Sequence, residues 1–131
     1  MKAIALSAIV LLTCASASAQ EPGSIGYRTV ADALAALRKD PTAKFSTQAG
    51  WVIVDVREGP HYGLWSFTPN THPAYPAAMR RTPTEVGGAI YLTMQVRCEA
   101  AKRVCAQLVE DFKKLNEQMK RDIQSRHKSS K

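Results

Sequence analysis

The sequence predicts an α+β domain: a three-stranded antiparallel sheet with an N-terminal helix and a long C-terminal helix packed on one face. Three observations predict it. Trp51-Val52-Ile53-Val54-Asp55-Val56 is a β-branched and aromatic run of strand length. Over Ala89 to Cys98, Ile90, Leu92, Met94, Val96 and Cys98 alternate with Tyr91, Thr93, Gln95 and Arg97, the period of a half-buried strand. From Lys102 to near Ser125, Val104, Leu108, Phe112, Leu115 and Met119 recur at helical spacing, with Lys113, Lys114, Glu117, Lys120 and Arg121 on the opposite side.

The chain begins with an export pattern. Lys2 provides a charged start, Ala3 to Leu12 an apolar run, and Ala17-Ser18-Ala19 the small residues of a cleavage site. A signal peptide over 1–19 is therefore expected. The apolar run falls short of the roughly 20 residues that span a bilayer. Thr13 before Cys14 is bulkier than the small residue that precedes a lipid-modified cysteine. No later run is apolar enough for a span, so no transmembrane segment is expected after cleavage.

Residues 20–26 hold Gly and Pro and read as a flexible leader, ahead of a single domain over 27–125. Thr29 with Asp32 three residues on makes a helix start; Val30, Leu34 and Leu37 form its apolar stripe, and Asp40-Pro41 stops it. Ala43 to Gly50 is compatible with a short strand or an irregular segment, with Phe45 as a core anchor. Trp51 to Val56 alternates imperfectly, as a strand covered on both faces does. Arg57 to Gly63, with Gly59-Pro60, reads as a turn of about six residues, and Leu64 to Thr68 as the second strand. Pro69, Pro73, Pro76 and Pro83 make Pro69 to Gly88 an irregular segment. Ala89 to Cys98 is the third strand. Residues 126–131 read as a basic, disordered tail.

The net charge of +7 is unevenly placed. From Lys113 onward seven Lys or Arg face two acids, so the basic character belongs to the C-terminal end. Basic residues there complement a helix dipole and leave an anionic envelope component as a possible partner. Nucleic acid is not expected, because no strand interleaves aromatic and basic residues.

Cys98 and Cys105 remain after cleavage, and two thiols in an oxidising compartment pair. Seven residues apart on one straight helix, their Cα atoms would stand about 10 Å apart. A disulfide spans at most about 7 Å. The chain therefore turns between them, with Cys98 ending a strand and Cys105 opening the last helix. Disulfide chemistry and the export signal together place the protein in the periplasm or outside the cell.

No catalytic or cofactor signature is present, and no cofactor is expected. His61, His72 and His127 match no metal-ligand spacing. His72 with Asp55 or Glu58 at one sheet end, or Ser66 with His72, offers a hydrolase-like alternative, without the local signature of a nucleophile elbow. The better candidate is the proline segment. Its prolines stiffen the backbone, and His72, Tyr75, Arg80 and Arg81 are side chains of the kinds that dominate interfaces. Protection of an open sheet edge by the prolines is the competing structural reading.

Trp65-Ser66-Phe67-Thr68-Pro69 followed by His72-Pro73-Ala74-Tyr75-Pro76-Ala77, with Cys98 and Cys105 downstream, resembles a pattern in small exported proteobacterial proteins. The resemblance spans roughly Trp51 to Asn116. It implies export and the cysteine pair, and no catalytic residue. The expected function is thus a periplasmic or secreted binding or accessory protein using loop 69–81 on a protein or anionic envelope partner. A small envelope enzyme and a structural factor docking through its basic helix are the alternatives.

Overall fold

A computed structural model describes residues 24–130; the export segment over 1–19, with Cys14, lies outside them. Helix α1 (Val30–Lys39) precedes β1 (Lys44–Gln48), β2 (Trp51–Glu58), β3 (His61–Phe67), β4 (Ala77–Val86) and β5 (Ala89–Cys98), and α2 (Lys102–Ser129) closes the chain. The five strands form one antiparallel meander in the order β1-β2-β3-β4-β5. The fold is α+β, but the sheet has five strands and not three.

Both additional strands are made by their neighbours. In β1, Lys44-Phe45-Ser46-Thr47-Gln48 has no alternating apolar face, and all five residues are exposed. It pairs with β2 through a two-residue turn in which Ala49 and Gly50 both have positive φ, 49° and 83°. Two left-handed central residues match the twist of paired strands. Phe45 is correspondingly no core anchor: it is exposed, with the Arg38 guanidinium over its ring. In β4, the prolines mask a strand. Pro83 lies beyond Arg81, where β4 pairs with β5 alone, so a missing N–H on the free flank is tolerated. The expected six-residue turn is also tighter. Gly59, at φ 62°, and Pro60 connect Glu58 directly to His61.

A second correction concerns the layers. Paired residues share a sheet face, and alternate residues face opposite ways. Val52, Val54, Val56, Trp65, Phe67 and Ala78 lie on one face and bury Val30, Ala33 and Leu37 of α1, together with Ile25 from the segment before it. Trp51, Ala77, Met79, Met94, Val96 and Cys98 lie on the other and receive Leu108 and Phe112 of α2. The helices therefore cover opposite faces. The reason is β2: apolar on both sides, it needs two covers.

Local chemistry sets the helix ends. Thr29 Oγ1 accepts from Asp32 N at 3.0 Å, and Glu99 Oε1, brought in by the end of β5, accepts from Val30 N at 2.6 Å. These satisfy two free donors of the first turn of α1. Helix α2 runs to Ser129, past the expected end near Ser125, with Arg126, His127 and Lys128 in its last turn.

The Cys98–Cys105 disulfide closes the strand–helix corner, with Cα atoms 5.8 Å apart. Replacing both cysteines by serine is expected to destabilise the protein by about 2.5 kcal/mol, the loop-closure value for so short a ring. Urea unfolding of the double variant checks this, and an unchanged midpoint would mean that packing alone holds the corner.

Candidate ligand-binding cleft

The loop Thr68 to Pro76 is tied into a rigid unit. His72 N donates to Pro69 O and Tyr75 N to His72 O, each at 3.0 Å, while Ala77 N donates to Thr68 Oγ1 at 2.9 Å. The His72 ring is a brace inside this unit. Its Nδ1 accepts from Ala74 N at 3.0 Å, and it meets the Trp51 ring edge-on at 5.2 Å. Ala74 is fully buried, and the Tyr75–Pro76 peptide is cis. Tyr75 stands half exposed at the rim of a groove of about 680 Å³ floored by Val30, Leu34, Val52 and Phe67.

Arg80 and Arg81 are consecutive on β4 and point through opposite faces. Arg80 lies on the α1 face. Its Nε and Nη2 donate to Glu58 Oε2 at 3.0 and 2.7 Å, and its guanidinium covers the Trp65 ring. Trp65 Nε1 donates to Glu58 Oε1 at 2.9 Å, so one carboxylate ties β2, β3 and β4 together. Gly63 makes room for it: a Cβ there would stand 2.5 Å from the carboxylate.

Arg81 has a different environment. It lies on the α2 face at 4% exposure. Nη2 donates to Ser66 Oγ at 2.9 Å; Nη1 lies 3.4 Å from Asn116 Oδ1 and 3.1 Å from Met119 Sδ. The guanidinium sits over the Phe112 ring at 5.1 Å. Among the described residues, no carboxylate lies within 4.0 Å of it, and its Nε is the buried side-chain atom left without a hydrogen-bond partner. Burial disfavours the charged form and lowers its pKa from the usual arginine value.

This guanidinium lines a cleft of about 560 Å³ between the sheet and α2. Its floor is Ile53 and Asp55 of β2 with Leu64 and Ser66 of β3; its wall is Phe112, Leu115 and Met119; Ser46 and Gln48 of β1 close the far end. The meander creates the space. Helix α2 packs over β4 and β5 through Leu108 and Phe112, leaving the same face of β1 and β2 partly open.

No match to a protein-family model, a curated protein or a solved structure was found. The site is therefore read from its own chemistry.

The four sequence candidates do not form one surface. His72 belongs to the loop, Tyr75 to the groove on the α1 face, Arg80 to the Glu58 ion pair, and Arg81 to the cleft under α2. The hydrolase constellation is not assembled either. His72 packs on Trp51, and Asp55 lies four residues further along β2, about 13 Å at strand rise. Glu58 is engaged by Arg80 and Trp65 on the other face, and Ser66 Oγ accepts from Arg81 rather than facing a histidine. Among the described residues, no three His, Cys, Asp or Glu side chains gather as a metal site, and no helix is long and apolar enough to cross a membrane. Sequence reasoning missed Asn116 and the cleft floor, and gave Ser66 and Met119 other roles, a partner for His72 and a place in the apolar stripe. Asn116, an amide among the apolar stripe of α2, was the signal that a polar group waited opposite.

Proposed function

We propose that this is a periplasmic or secreted binding protein whose ligand is an anion held by Arg81 in the cleft under α2. The observation that carries this reading is a buried guanidinium that, among the described residues, has no carboxylate partner and whose Nε has no hydrogen-bond partner. Burying an isolated charge costs several kcal/mol even after relaxation, and weak acceptors such as a thioether offset little of it. A ligand anion offsets it through charge-assisted, two-pronged hydrogen bonds. The structural alternative is a guanidinium kept only for its stem packing and its contact with Phe112. Binding is favoured over catalysis because no histidine is in the cleft lining, the Ser66 hydroxyl is engaged by Arg81, and the one lining acid, Asp55, stands opposite Leu64 rather than Ser66.

The reading is tested by melting the purified chain with and without a panel of small carboxylates and phosphates. An anion at a hundred times its Kd is expected to stabilise the protein by about 2.7 kcal/mol. Arg81→Met is expected to lose that response. Equal responses in the two proteins, or none in either, would remove Arg81 as an anion site.

A further inference from the structure

We infer that the ligand is a monocarboxylate with an unbranched apolar tail of about seven carbons, lying across the strands from the Arg81 guanidinium toward β1; this rests on the anion reading above. Charge, polarity and length each bear on it.

The cleft supplies one buried cation. Arg81 Nη1 has only a 3.4 Å approach to an amide oxygen and a thioether contact, both readily displaced by a carboxylate, and Nε, itself buried, has no hydrogen-bond partner among the described residues. A single planar guanidinium matches a single carboxylate fork to fork. The remaining charged side chain of the lining is Asp55, a carboxylate. Lys44 stands opposite Asp55 across the β1–β2 pair, exposed and outside the lining. A phosphate dianion would thus have one charge unpaired and an acid nearby, whereas a monoanion is neutralised by Arg81 alone.

Away from Arg81 the lining is apolar except for Asp55 on the floor and Ser46 and Gln48 at the far end. Ile53 and Leu64 form the floor, Trp51 the side, and Leu115, although 42% exposed, overhangs from α2. A hydrated ion needs no such walls; an alkyl chain does. The register gives the length. Asp55, Leu64 and Arg81 are in line across β2, β3 and β4, and β1 lies one strand beyond. Arg81 Nη2 reaches over β3 to Ser66 Oγ, so two interstrand spacings, about 10 Å, separate the guanidinium from β1. A zigzag of 1.5 Å bonds advances roughly 1.3 Å per carbon, so about seven carbons reach from the guanidinium to the Ser46 and Gln48 end.

Titration calorimetry on the unaltered chain, below the micelle concentration of each probe, tests this with acetate, hexanoate, octanoate, decanoate, decanol, decyl phosphate and inorganic phosphate. Affinity is expected to rise roughly fourfold per buried methylene up to octanoate and then to level off, with decanoate close to octanoate. Decanoate is expected to bind at least tenfold tighter than decanol and than decyl phosphate. Tight binding of acetate or inorganic phosphate with no gain from a tail would overturn the amphiphile and leave the anion reading standing. Decyl phosphate binding as tightly as decanoate would overturn the monoanion preference. Decanol equal to decanoate would overturn both readings, since the groove would then be apolar only. Arg81→Lys, which keeps the charge and loses the fork, should retain the tail dependence while weakening decanoate about tenfold; no weakening would overturn the two-pronged contact.

Discussion

Trp65→Ala is expected to destabilise the protein by about 3–5 kcal/mol, enough to unfold much of the population of a small domain at body temperature. Trp65 is 2% exposed at the centre of β3. It stacks on Phe67 at 6.0 Å, meets Tyr27 edge-on, and donates its indole N–H to Glu58. The substitution removes the largest side chain of the α1-side core and also releases Glu58 from one of its two clamps. Thermal melting followed by near-ultraviolet circular dichroism should show Tm falling by about 15 °C or more. Trp65→Phe separates the parts, because it keeps ring volume and loses the N–H. A loss below about 2 kcal/mol in Trp65→Ala would mean that the α1 layer collapses around the gap.

Arg81→Met is the opposite case. A buried charge held for structure should be missed, whereas one held for a ligand should not. The unliganded variant is expected to be as stable as the parent, or more stable by roughly 1 kcal/mol, because methionine fills the site without a charge to desolvate. The lost Ser66 contact works against that gain, and Ser66→Ala in the same chain removes it from the comparison. Urea midpoints of the parent, single and double variants decide the matter. A loss of about 3 kcal/mol in Arg81→Met would identify Arg81 as a structural strut, and the cleft would lose its main argument.

The two arginines show how partners, not residue type, separate these cases. Arg80 shares a carboxylate with Trp65 and ties three strands; Arg81 has a hydroxyl, an amide and a thioether. Adjacent in sequence, they are divided by the alternation of a strand. The sequence does not reveal that alternation because four prolines, Pro69, Pro73 and Pro76 before the segment and Pro83 inside it, argue against a strand at all. The proline reading itself was half right in its physics: Pro69 and Pro73 do stiffen a loop, braced by His72. Edge protection is confined to Pro83, since β4 is flanked by β3 as far as Arg81 and has a free side only beyond it.

Short-range chemistry was legible from the residues themselves. The Thr29 cap, the stripe of α2, the alternation of β5 and the turn between Cys98 and Cys105 all depend on neighbours a few positions apart, and the structure has each of them. What only the tertiary structure decided is long-range. Lys44 to Gln48 and Ala77 to Val86 have weak strand patterns of their own and become strands because Trp51–Glu58 and Ala89–Cys98 offer them hydrogen-bonding edges. The helices take opposite faces because a sheet apolar on both sides must be covered twice. Arg81 faces its cleft for the same reason: one register sets which face each side chain of β4 occupies, and a slip of one residue would have exchanged it with Arg80.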